Sequence, residues 1–335
     1  MAVAPRAAGR RRADGFPARP QEVTVKALVA AGYQPLDRIA LTDRPKPAAG
    51  PGQVVVRVEA AALNPLDLAL ITGALKDVYP VQHPLVIGMD AAGTVDEVGP
   101  DVTGYAPGDR VLAFTGQTGS VAEYTVATPG PRLAHRPAGL DAERAAALPE
   151  SGMTAVCLLR AAGLAPGQTV LVIGATGGIG LYAVQLATAL GARVIATAGG
   201  QDAEYIRELG AAHTVDYRTA DVVAAALELV PGGVDLVVDL INNGEGLVGS
   251  ARAARPGGRL VSPLFGPQTL DRDVTPVYIG SFVPEPGDLD DLAARAADGR
   301  LRVEIGARYP FADAARAVAD FAGTHIRGKV VITVP

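Results

Sequence analysis

TVLVIGATGGIGLYAVQLATALGARVIAT, residues 169–197, joins four local patterns in one stretch. Thr169–Gly174 is a continuous apolar run, as expected of a parallel strand covered on both faces. A Gly-rich turn follows, then a helix over Gly178–Leu190, then a second strand over Arg193–Thr197. Gly174, Gly177 and Gly180 are spaced by three, a shifted form of GxGxxG. Small residues let the backbone approach a pyrophosphate, and free N–H groups at the helix start face its charge. Gly180 is placed to let helix and strand pack closely. Gly177 is expected to take backbone dihedrals that a β-branched residue resists. The bland alternative is a Gly-rich connection with no ligand. The complete strand–turn–helix–strand context favours a bound dinucleotide over it.

Outward from this stretch, the C-terminal half keeps a βαβ rhythm. Helices are expected over Asp202–Leu209, Asp221–Leu229 and near Leu247–Ala254. Strands are expected near Thr214–Asp216, and over Val234–Leu240 and Arg259–Leu264. That alternation implies a doubly wound parallel sheet. Val274–Phe282 reads as an edge strand, because Pro276 disfavours a central place. Two helices and a final strand, Gly328–Val334, end the chain. The N-terminal half has a different texture. Residues 23–29, Val54–Leu63, Ala91–Gly99, Pro107–Phe114 and Val121–Ala127 are short strands with Gly/Pro punctuation, the pattern of a β-rich unit. The change comes near Leu148-Pro149. Residues 1–22 read as a disordered tail, with an organelle presequence as the alternative for their Arg-rich start.

Composition excludes several roles. The chain has 335 residues, enough for two ordinary domains. A net charge of −5, 4% aromatic residues and no Trp argue against nucleic-acid binding. No apolar run is long enough to span a bilayer. Cys157 is the only cysteine, so no intrachain disulfide forms and a cytoplasmic, reducing compartment fits. Its apolar setting, TAVCLLR, suits a buried structural thiol. The four histidines, His83, His135, His213 and His325, form no ligand spacing, and no metal is expected.

The end of the second strand bears on cofactor choice. An NAD site places an acid there to hold the ribose 2′-OH. Here the residues are Thr197, Ala198, Gly199 and Gly200, and the first acid is Asp202. A 2′-phosphate meets no repulsion, which favours NADPH. Tyr217 and Arg218, after the third strand, are placed either to meet that phosphate or to form a solvated loop. The cradle itself comprises Gly174, Ala175, Thr176, Gly177, Gly178 and Ile179.

With NPLD (Asn64–Asp67), GMDAAGTVDEVG (Met89–Gly99), GDRV (Gly108–Val111), AALP (Ala146–Pro149), SGMTA (Ser151–Ala155), GATGGIG, RPGGRLVS (Arg255–Ser262) and RGKVV (Arg327–Val331), the chain resembles the medium-chain dehydrogenase/reductase superfamily. It is most similar to the zinc-free quinone oxidoreductase branch. The resemblance implies a GroES-like catalytic domain over residues 23–149 and 284–335 and a Rossmann domain over residues 150–283. It also implies a homodimer, often paired through Rossmann edge strands. The zinc enzymes of the superfamily carry Cys where this chain has Asn64-Pro65-Leu66-Asp67, and His-Glu where it has Met89-Asp90.

By the same resemblance, Asn64 lies near the nicotinamide ribose and the substrate oxygen, and Thr154 near the nicotinamide or its ribose. Leu240, Ile241, Pro263, Leu264 and Phe265 line the nicotinamide end, with Lys329 nearby. The activity implied is hydride transfer from NADPH to a small quinone or an α,β-unsaturated carbonyl. Alternatives are an enoyl reductase of secondary metabolism and a non-catalytic dinucleotide-binding protein. The chain departs from the branch where a Tyr often follows the Asn: Ala69 and Leu75 stand there. Tyr79, four residues beyond Leu75, is the candidate replacement. Asp67 reads as a helix cap, and Glu150 as an acid favouring a helix dipole over an acid–base role. The proton donor is unassigned.

Overall fold

The computed structural model describes residues 23–335, so the expected tail over residues 1–22 lies outside the described residues. The β-rich half contains β1 (Thr24–Ala30), β2 (Ala40–Pro45), β3 (Val54–Leu63), α1 (Pro65–Thr72), β4 (Leu85–Val86), β5 (Asp90–Val98), β6 (Arg110–Phe114), β7 (Tyr124–Ala127) and β8 (Leu133–His135). Two helices follow, α2 (Ala142–Ala146) and α3 (Pro149–Ala161). Then come β9 (Thr169–Ile173), α4 (Gly178–Ala189), β10 (Arg193–Thr197), α5 (Ala203–Glu208), β11 (His213–Val215), α6 (Val222–Leu229), β12 (Val234–Asp239), α7 (Glu245–Ala251), β13 (Ala254–Ser262) and β14 (Thr275–Tyr278). The chain ends with α8 (Asp288–Ala297), β15 (Ile305–Pro310), α9 (Ala314–Gly323) and β16 (Lys329–Thr333).

Strands β9 to β14 form one parallel sheet in the order β11-β10-β9-β12-β13-β14. The order reverses between β9 and β12, and a ligand crevice is expected outside the carboxyl ends there. Successive side chains of a strand point to opposite faces. Val170 and Val172 accordingly enter one apolar cluster, and Leu171 and Ile173 another on the far face. Both faces are covered, which is why β9 reads as an unbroken apolar run. β14 is the outermost strand, as Pro276 requires.

The other large sheet runs β15-β16-β3-β5-β6-β8, with β7 also on β3. The C-terminal strand β16 therefore lies against β3, Val330 opposite Leu63. A smaller sheet, β2-β1-β4, packs outside. One apolar cluster is continuous through both halves: it holds Leu63, Ile71 and Met89 together with Met153, Leu158, Val172 and Leu181. Cys157 is buried, its thiol 3.4 Å from the Val283 carbonyl, and burial pushes the thiol above its usual range.

The Gly-rich turn differs from expectation at one residue. Gly174, at φ +87°, holds the left-handed conformation, and a Cβ there would strike Ile241 at 2.8 Å. Gly177, at φ −78° and ψ 172°, is ordinary extended backbone. Its missing Cβ matters for space: only the Gly174 carbonyl, at 3.6 Å, lies near that position. At Gly180 a Cβ would meet the Gly174 carbonyl at 2.1 Å, so helix and turn touch backbone to backbone.

These contacts separate two variants. Gly180→Val is expected to cost about 3 kcal/mol of stability or more, because backbone must move. Gly177→Val is expected to cost about 1 kcal/mol or less, the penalty of a poor N-cap. Urea unfolding of both beside the parent chain checks this; equal losses would refute the assignment of Gly180 to packing.

Candidate active site

The rim of the parallel sheet is built from strand ends. Gly174–Ile179 follow β9, Thr197–Gly199 end and follow β10, Tyr217 follows β11, Leu240 and Ile241 follow β12, and Pro263–Phe265 follow β13. Except for Asn64, Thr154 and Lys329, the residues named from sequence for the cofactor thus line the carboxyl edge of five neighbouring strands. Local hydrogen bonds shape each loop. The buried Thr197 hydroxyl accepts from the Gly174 N–H at 2.9 Å and braces the cradle from beneath. Buried Asp239 accepts from the N–H groups of Ile241 and Asn242 at 3.0 and 2.9 Å and from the Ser250 hydroxyl. The Phe265 carbonyl accepts from the Gly244 N–H at 2.8 Å, joining the last two loops. Ile241 and Phe265 are exposed at this edge. The α4 N-terminus carries no side-chain cap, so its first N–H groups are open to an anion.

Facing this turn is a buried polar cluster. Lys329, at the start of β16, donates to Ser151 Oγ at 3.1 Å, to Asp90 Oδ2 at 3.3 Å and to Asn64 Oδ1. Asn64 in turn donates from Nδ2 to Asp90 Oδ2 at 2.9 Å. Asp90 Oδ1 accepts from the Glu150 N–H at 2.9 Å, and the Glu150 carboxylate accepts from Ser151 Oγ at 2.9 Å. A Cβ on Gly178 would lie 2.9 Å from both Lys329 Cδ and Ser151 Oγ, so the cluster presses directly on the cradle. The Gly328 N–H also donates to the Thr176 carbonyl at 3.0 Å.

The sequence-named residues divide accordingly. Asn64 and Lys329 come together, but Asn64 is fully buried with both ends of its amide engaged, so it is a positioning residue here. Thr154 is buried in α3, and its hydroxyl has no hydrogen-bond partner among the described residues. Tyr79 takes no part in the hydrogen bonds of the cluster; it packs against the apolar core. Asp67 caps α1 through the Asn64 N–H at 2.7 Å. Asp90, Ser151 and Asp239 were not singled out by sequence. Their one signal is an acid or hydroxyl set in an apolar run, such as Asp90 in VIGMDAAG. Among the described residues, no group of three or more His, Cys, Asp or Glu is placed to hold a metal ion.

Comparison with known proteins agrees with this architecture. A family model described as an alcohol dehydrogenase GroES-like domain matches residues 50–138, and one described as a zinc-binding dehydrogenase matches residues 209–332. The quinone oxidoreductase of Pseudomonas aeruginosa is 33% identical over 327 residues, covering 92% of this chain and 99% of that protein. The chain belongs to the medium-chain dehydrogenase/reductase superfamily, in its zinc-free quinone oxidoreductase-like branch. The quinone oxidoreductase structure from Coxiella burnetii superimposes with a TM-score of 0.83 at 28% identity, covering 93% of this chain and all (100%) of that one. A stretch of 242 residues is 40% identical to part of the spectinabilin polyketide synthase system protein NorB of Streptomyces orinoci, covering 70% of this chain and 10% of that protein. Members of the superfamily are oxidoreductases that bind a nicotinamide dinucleotide, and the open cradle fits one. No helix among the described residues is long and apolar enough to cross a membrane.

Burial shifts the acids of the cluster. Desolvation raises the carboxyls of Asp90 and Glu150 above their usual range, against the pull of Lys329. It raises Asp67 to about 7, opposed by the bond from the Asn64 N–H. A carboxyl whose pKa is raised on folding favours the folded state below its unfolded pKa and loses that advantage as pH rises through the folded one. Stability carried by Asp67 is therefore lost between about pH 4 and pH 7. Asp67→Asn, which stays neutral, is expected to gain on the parent chain across that window by up to about 4 kcal/mol. Unfolding of both proteins across the window checks it. A stability difference independent of pH would mean that Asp67 ionises like a solvated carboxyl.

Proposed function

We propose that the protein is a zinc-independent, NADPH-dependent oxidoreductase that transfers hydride to a quinone or an α,β-unsaturated carbonyl. The observation that carries the choice of cofactor is at the end of β10. The Arg218 guanidinium lies 3.1 Å from where a Cβ on Gly199 would sit, next to the Tyr217 ring. The acid at this rim, Asp216, is occupied: its oxygens accept from the Gly200 N–H at 2.9 Å and the Arg218 N–H at 3.0 Å. A guanidinium with no hydrogen-bond partner among the described residues, beside an engaged carboxylate, suits a 2′-phosphate better than a bare 2′-OH.

The dinucleotide, when bound, supplies the hydride. The chain's own work is placement. The first turn of α4 would hold the pyrophosphate charge, and Thr154 would offer a hydroxyl at the nicotinamide end. Lys329 and Asp90 hold Asn64 by the two ends of its amide. Met89 stands where zinc relatives carry a metal-binding His, so a polarising Lewis acid is not part of the reading, and an acceptor that is already electrophilic fits. The partial match to the polyketide synthase protein supports a second reading, in which the acceptor is the enoyl group of a biosynthetic intermediate.

Three measurements test the proposal. Loss of NADPH absorbance with a panel of quinones and enones is expected to continue in the presence of a chelator; activity that needs added zinc would overturn it. Direct titration is expected to give NADPH at least about tenfold tighter binding than NADH. Gly199→Asp puts a carboxylate at the 2′-phosphate and should reverse that preference, whereas an unchanged ratio would remove the argument from Arg218.

A further inference from the structure

The cradle's floor is the Rossmann turn, but one of its walls comes from elsewhere. The segment between α9 and β16, residues 324–328, returns from the far end of the chain. It lies along the turn in a single parallel bridge, Gly177 to Gly328, with the Gly328 N–H on the Thr176 carbonyl at 3.0 Å. Gly328 is at φ +80°, and a Cβ there would strike the Glu304 carbonyl at 2.4 Å, so the approach is fixed. On this segment His325 is exposed, and its Nε2 lies 3.5 Å from Thr176 Oγ1.

The cations nearby have other engagements. Arg327 binds Asp202 at 3.0 Å and Glu304 at 2.8 Å and lies over the Tyr205 ring at 4.3 Å. Lys329 points into the buried cluster. Among the described residues, no Lys or Arg side chain hydrogen-bonds to residues 174–180. The turn GATGGIG itself has no cation, so backbone N–H groups alone would face a doubly charged bridge. Arg218 serves the opposite, adenosine end of the site.

We propose that His325 is a ligand of the dinucleotide's pyrophosphate, donating from its imidazole to an oxygen beside Thr176. This rests on the dinucleotide reading above. Arg327 then acts as the clamp that holds the segment, and His325 as its contact with the ligand. A histidine that sequence placed only outside any metal-ligand spacing becomes part of the cofactor site, contributed by the segment that leads into the last strand.

Calorimetric titration of NADPH, ADP and adenosine 2′-monophosphate tests this on the full chain. His325→Ala is expected to weaken NADPH and ADP about tenfold, as for loss of one hydrogen bond to a charged group. Adenosine 2′-monophosphate has no 5′-phosphates and should bind within about twofold of the parent affinity. His325→Lys, which keeps an N–H donor at this position, should retain the binding of NADPH and ADP. Equal NADPH affinity in the Ala variant and the parent overturns the proposal and leaves the dinucleotide reading intact. A matching loss for adenosine 2′-monophosphate also overturns it, because the whole site has then been disturbed. A parent chain that binds none of the three ligands ends the dinucleotide reading, and this inference with it.

Discussion

The ammonium of Lys329 is a buried cation shared by a carboxylate, a carboxamide and a hydroxyl, and the two halves of the molecule meet on it. Asp90 comes from β5, Asn64 from the end of β3, and Ser151 from the first turn of α3. A buried charge is tolerated only when paired and hydrogen-bonded, and removing one partner strands the other. The pairing therefore fixes the start of the last strand against the catalytic sheet. It also fixes the surface against which the Gly-rich turn rests, since Gly178 has room only for hydrogen beside Lys329 and Ser151.

The dinucleotide half was legible because its physics is local. A strand covered on both faces is apolar without interruption, and the β9 to α4 turn needs small residues at fixed spacing. β14 was also legible, since Pro276 excludes a central strand. The β-rich half was read less completely. β2, ALTDRP, carries two charges and a terminal Pro, and pairing with β1 rather than apolar patterning makes it a strand. β13 starts at Ala254, five residues before the apolar run, across a register shift against β12 that follows Val234. At the turn, the left-handed residue is Gly174 and not Gly177, because the chain must reverse where β9 ends, before the cradle opens.

The candidate site was legible by position and not by partnership. Strand ends can be counted along a sequence, so the loops that line the sheet edge could be named. Which side chains meet across the molecule depends on sheet topology. Asn64 and Lys329 are 265 positions apart and become neighbours because β16 pairs with β3. Asp90 and Ser151 belong to the same meeting and carry no spacing signal. Tyr79 was chosen by proximity in sequence to Asn64, and the loop after α1 turns it against the apolar core.

The apolar cluster that runs unbroken from Ile71 and Met89 to Val172 and Leu181 has a mechanical consequence. A hinge that opened the two halves as rigid bodies would shear this shared interior and wet it. The loops after β12 and β13 lie outside it at the sheet edge, where Ile241 and Phe265 are exposed.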